Sequence, residues 1–143
     1  MHANHSTEEE LQLIASRGVV IVHCPGAHAF FERSHFGLEG FHRAGVPVAL
    51  GTDSLAGNNA LEMGEEVALL RDSHPELSPG LAFEMATQAS AVALGLAGEV
   101  GSLEEGAFAD MVLYEGGVED LERITSRGAA VQRVWVGGVE WSL

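Results

Sequence analysis

An apolar run that halts on a single carboxylate is the feature of this sequence that most invites chemistry. Residues 46–59 read VPVALGTDSLAGNN: a strand-like stretch, Asp53 at its exit, then small and amide-bearing residues. An aspartate is short, so its reach is set by the strand that carries it, which suits a metal ligand or a general base. In parallel α/β sheets and barrels, ligands meet the carboxyl ends of the strands, where Asp53 falls. A loop carboxylate capping the backbone of the next turn makes the same pattern. The preceding apolar run, VVIVHCP at 19–25, ends on His23, Cys24 and Pro25. A histidine there is commonly a hydrogen-bonded structural residue, but two successive strands delivering His and Asp to one edge point to a shared site.

Other candidates are weaker. His2 and His5 form H-x-x-H ahead of a helix, a spacing that an unstructured terminus shows equally well. His28 and His35 lie in an aromatic stretch, GAHAFFERSHF at 26–36, read as a loop; they either line a pocket mouth or face solvent. Phe30, Phe31 and Phe36 in that stretch suggest an apolar or aromatic group nearby. His42 and His74 read as surface residues. Cys24 follows a buried strand with no evident activating partner and reads as a structural thiol rather than a nucleophile. GTDSLAG lacks the lysine of a phosphate-binding loop, and no G-x-G-x-x-G occurs. Trp135 and Trp141 are ordinary packing residues on a hairpin.

The elements that must position these groups follow from periodicity and punctuation. Ser6 with Glu9, or Thr7 with Glu10, fits a capping box, and Gly18 sits where a left-handed cap would end that helix. VVIVHCP and VPVALG are unbroken β-branched runs, the signature of strands buried on both faces. A helix is predicted from Leu38 to Ala44, stopped by Gly45; another, capped by Asn58 or Asn59, runs to Arg71. Ser78 and Pro79 open one through Leu94, closed by Gly95. Helices alternating with apolar strands imply parallel βα units over residues 1–95. From residue 96 the texture changes: GSLEEGAFAD, MVLYE and VQRVWVGGVEW are strand-like, the last with Gly137–Gly138 at a hairpin turn, and a short helix falls near 118–126.

Composition excludes some classes. Seven Lys and Arg against 21 Asp and Glu give a net charge of −14, which repels phosphate backbones and argues against nucleic acid. One cysteine precludes an internal disulfide, no apolar run approaches the ~20 residues that span a bilayer, and no signal peptide is evident; a cytoplasmic protein without membrane partners is the expectation.

HANHSTEEELQLIASRGVVIVHCP, AGVPVALGTDSLAGNNALEMGEEV and GSLEEGAFADMVLYE, in this order, resemble the C-terminal part of the amidohydrolase superfamily. The branch is that of the metal-dependent deaminases and chlorohydrolases, related to cytosine, guanine and S-adenosylhomocysteine deaminases. The resemblance implies an α/β fold: the C-terminal part of a (β/α)8 TIM-type barrel at 1–95, then part of a small β-sandwich at 96–143. It implies a hydrolase of C–N or C–Cl bonds on a heterocyclic or nucleoside-like small molecule. Asp53 matches a metal ligand that also shuttles protons, and His2 a histidine that polarises the substrate or its water. His23 matches a supportive position, and with Asn58 and His28 is a candidate for contacting substrate. The implied cofactor is a divalent metal, zinc foremost, with iron or manganese as alternatives. The family's H-x-H pair, its fifth-strand histidine and its catalytic glutamate have no counterpart here. The expectation is therefore a fragment inactive alone; the alternative is a non-catalytic module that forms homo-oligomers through exposed sheet edges or completes a barrel with a partner chain.

Overall fold

A computed structural model describes residues 3–115 and 121–142. The chain opens with α1 (Glu8–Ser16), β1 (Ile21–His23), α2 (Pro25–Phe30), α3 (Leu38–Arg43) and β2 (Val48–Leu50). Three helices follow, α4 (Met63–Ser73), α5 (Pro79–Ala86) and α6 (Gln88–Leu94). The last part holds β3 (Met111–Tyr114), α7 (Leu121–Ile124), β4 (Val131–Val136) and β5 (Val139–Trp141). No helix among the described residues is long and apolar enough to cross a membrane.

The start of α1 obeys the capping-box rule: Thr7 N–H donates to Glu10 Oε2 at 2.7 Å, and Glu10 N–H to Thr7 Oγ1 at 3.3 Å. Three glutamates in its first turn oppose the positive end of the helix dipole. β1 and β2 pair in parallel, with Ile21 opposite Val48 and His23 opposite Leu50. Ile21, Val48 and Leu50 join Phe36, Phe41, Leu70 and Met85 in one buried core, so the sheet is held by helices packed on it. The β3–β4–β5 sheet is antiparallel. Its Gly137–Gly138 turn has φ of 57° and 79°, the double positive φ of a tight hairpin. Gly137 N–H reaches Asp110 Oδ1 at 2.6 Å, which pins that turn.

Four expectations need correction. Residues 26–36 begin as a helix, not a loop: Pro25 occupies the first turn of α2, where its fixed φ suits a helix and its missing N–H costs nothing. Neither Asn58 nor Asn59 caps α4, which starts after Glu62; Asn58 is turned inward instead. The helix expected through 78–94 is two, broken at Thr87 with φ −118° and ψ −87°. Gly101 packs so closely against the Thr87 carbonyl that a Cβ there would sit 2.8 Å from it. GSLEEGAFAD forms turns, with no strand between residues 101 and 110.

Candidate active site

The site is built at the carboxyl end of β2. Gly51 N–H donates to the His23 carbonyl at 2.9 Å, carrying the parallel pairing one residue past the strand. A Cβ on Gly51 would come within 2.9 Å of Val22 Cγ1 and 3.5 Å of Cys24 Sγ, so the two chains touch here. Two residues later Asp53 adopts φ +56°, a left-handed backbone that aspartate tolerates better than most residues. Its Oδ1 accepts the Ser54 N–H at 3.0 Å, and the side chain is exposed at the strand exit.

Cys24 is 2% exposed. Burial, then the negative charges of Asp53 and Glu66, push the thiol up to about 11, outweighing the opposing influence of the Asp53 backbone N–H. Glu66 of α4 is itself 1% exposed. Its Oε2 accepts the Gly26 N–H at 2.7 Å and its Oε1 the Asn58 Nδ2–H at 2.6 Å. Burial raises the Glu66 carboxyl above the usual range, and these two hydrogen bonds pull it partly back. Asn58 Nδ2 also donates to the Thr52 carbonyl at 2.7 Å, and Asn58 Oδ1 accepts the Asn59 N–H at 2.8 Å.

His23 occupies the other side of β1. Side chains alternate along a strand, so Val22 and Cys24 share a face with Gly51 while His23 shares one with Leu50. Its ring stacks on Phe36 at 3.9 Å and meets the edge of His28 at 5.2 Å. His23, His28 and His35 line a cavity of about 320 Å³ that also takes in Arg33 and Arg127. The sequence pairs His23 with Asp53 and leaves His28 and His35 at a pocket mouth or in solvent; this cavity brings the three histidines together. His2 lies outside the described residues. His74, expected at the surface, is 1% exposed; its Nδ1 lies 3.3 Å from Glu76 Oε1 and its ring 4.4 Å from that of His35. An apolar cavity of about 690 Å³ between α4, α5 and β3 is lined by Val67, Phe83, Met111 and Tyr114 among others, and by none of these groups.

Glu66 is the site residue that sequence reasoning missed. It lies beside the apolar Val67 in an acidic stretch, and nothing in its spacing distinguishes it from Glu65 on the surface. Among the described residues, no three His, Cys, Asp or Glu side chains gather closely enough to hold a metal ion. Asp53 is a suitable donor, but a thiol held protonated is a poor one, and a catalytic zinc takes about three protein ligands. These residues do not by themselves make a metal centre.

A mixed α/β chain with a carboxylate at the exit of a parallel strand is the class this geometry defines. The chain belongs to the amidohydrolase family, whose pattern it matches over residues 1–140. A 5-methylthioadenosine/S-adenosylhomocysteine deaminase of Thermococcus sibiricus is 41% identical over 133 residues, which cover 87% of this chain and 31% of that protein. An adenosine deaminase from Xanthomonas campestris, crystallised with bound zinc, superposes with a TM-score of 0.86 at 30% identity, covering 97% of this chain and 35% of that one. The zinc complex of an atrazine chlorohydrolase from Arthrobacter aurescens gives a TM-score of 0.84 at 27% identity, with coverages of 97% and 34%. The chain thus spans about a third of the length of the relatives it matches.

Proposed function

We propose that these residues supply one sector of a hydrolytic active site that acts on a C–N or C–Cl bond of a heterocyclic or nucleoside-like substrate, with deamination the preferred reaction. In this reading β1 and β2 are neighbouring strands of a (β/α)8 barrel, residues 1–95 are barrel, and 96–143 belong to a small β-sandwich. The observation that carries it is Asp53, presented at the exit of β2 on a left-handed backbone. A carboxylate so placed can take a proton from a water attacking the ring carbon and return it to the departing amine. His2 is the second catalytic group, and Asn58 and His28 contribute to the substrate side. His23, stacked on Phe36, supports the strand end.

The named deaminases and the zinc-bound neighbours support a divalent metal in the complete site. Asp53 would be one of its ligands, and the described residues do not supply the others. The chain alone is therefore inactive. Elemental mass spectrometry after dialysis, beside an assay for ammonia release from adenosine-type nucleosides, tests this: substoichiometric metal and no turnover are expected. Bound metal lost on Asp53→Ala, together with turnover, would overturn it.

A second reading has one specific observation in its favour. The β1–β2 sheet has only two strands among those described, and parallel sheets are stable when covered and extended. A module that pairs these edges with a second copy or a partner chain would sediment as an oligomer; a monomer at micromolar concentration would refute it.

A further inference from the structure

The two loops that leave the sheet are joined by a side-chain network centred on Glu66, a residue that none of the chemistry above uses. From the outside inward it runs Thr52 carbonyl, Asn58 amide, Glu66 carboxylate, Gly26 N–H, with donor–acceptor distances of 2.7, 2.6 and 2.7 Å. Glu66 and Asn58 are 1% and 7% exposed, so water does not compete for these bonds. The chain arrives at Thr52 immediately before Asp53, and at Gly26 two residues after Cys24. Gly26 is required by the same packing: a Cβ there would collide with both the Asn58 amide and the Glu66 carboxylate.

We infer that Glu66, acting through Asn58, is a positioning residue that holds Asp53 in its left-handed conformation at the strand exit. Glu66 touches no reacting group. It fixes the amide orientation of Asn58, because a carboxylate accepts only and so demands the NH2 end; that NH2 then reaches the Thr52 carbonyl as well. Releasing Thr52 frees the peptide that sets the Asp53 φ. The catalytic importance of that placement rests on the function proposed above, but the placement itself does not.

The geometry dictates a test that separates positioning from simple packing. In Glu66→Gln the side chain offers one acceptor and one NH2 donor, so it cannot satisfy Gly26 and an unaltered Asn58 together. In the pair Glu66→Gln/Asn58→Asp, the buried contact re-forms with donor and acceptor exchanged, but no N–H remains for the Thr52 carbonyl. Amide hydrogen exchange of the 143-residue chain reads the result at Ser54 and Gly57. Ser54 N–H binds Asp53 Oδ1 and Gly57 N–H binds the Ser54 carbonyl, so both report this turn. Amides of α1 serve as the control for folding.

The double variant is expected to keep parent-like α1 protection while Ser54 and Gly57 exchange about tenfold or more faster, with the melting temperature lowered only by the loss of the Thr52 bond. The Ser54 amide chemical shift should move with them. Asn58→Ala, which lacks the amide, should give the same turn signature. Parent-like exchange at Ser54 and Gly57 in folded samples of both variants would overturn the inference. Because neither readout requires turnover, a chain without hydrolase activity leaves this test intact.

Discussion

Asp53, at the exit of β2, lies near enough to Cys24, the residue that follows β1, for both its charge and its backbone N–H to act on the thiol. The buried thiol feels two carboxylates, Asp53 and Glu66. Burial contributes most, the two negative charges add to it, and the thiol titrates at about 11. At neutral pH Cys24 is then fully protonated and sterically shielded. Disulfide-exchange reagents, which need a thiolate, should label less than one-tenth of the native protein in the time that labels it fully in denaturant, an estimate of roughly tenfold protection or more from its burial. Rapid labelling of the native chain would show that this strand end opens readily.

Gly26→Ala is a compact disturbance of the same region. The added methyl would lie 2.5 Å from Glu66 Oε1 and 2.6 Å from Asn58 Nδ2. Neither side chain can swing away without breaking a buried hydrogen bond, so the cost combines overpacking with lost bonding, about 2–4 kcal/mol. Urea denaturation at neutral pH measures it. A loss below about 0.5 kcal/mol would mean that the loop gives way freely.

How much of this was legible in the sequence depended on whether a signal was local. The Thr7–Glu10 box, Gly18, Gly45, Gly95 and the Gly137–Gly138 turn depend on a few adjacent residues, and each sits where its chemistry demands. β1 and β2 were announced by unbroken β-branched runs. Asp53 could be singled out because one carboxylate ended one of them. The tie from Glu66 to Gly26 spans 40 positions, and no local rule brings them together. The burial of His74 is likewise tertiary, since a histidine followed by Pro75 and Glu76 has the composition of a surface turn.

His74 carries a pH prediction. Burial lowers its pKa below the usual 6.5, and the neighbouring His35 lowers it further, against the raising influence of Glu76 and Glu39. A lowered folded value means that the native state holds fewer protons than the unfolded chain. The corresponding stability is complete above about pH 6.5 and drains away as pH falls from there through the folded pKa. Glu66, raised in the fold, acts in the opposite sense: its contribution is complete below about 4.5 and is lost as pH rises through its folded value. Comparing parent with His74→Gln cancels Glu66 and isolates the histidine. Urea midpoints between pH 5 and 8 should fall less steeply towards acid in the variant; parallel curves would mean that His74 titrates normally.

Asp53→Asn and Asp53→Ala divide the carboxylate's roles. Asparagine accepts a left-handed backbone as aspartate does and keeps an oxygen for the Ser54 N–H, so stability should change by less than about 0.5 kcal/mol. Alanine lacks that oxygen and adopts φ +56° less readily, a loss of about 1–2 kcal/mol. Both variants remove the negative charge beside Cys24, so in both the thiol pKa should fall below about 11. It should nevertheless stay above the usual 9.0, because burial, the largest cause, is untouched. Thiolate absorbance followed through an alkaline titration of each folded variant gives that value directly. A Cys24 titration unmoved by Asp53→Asn would mean that the carboxylate's charge does not reach the sulfur.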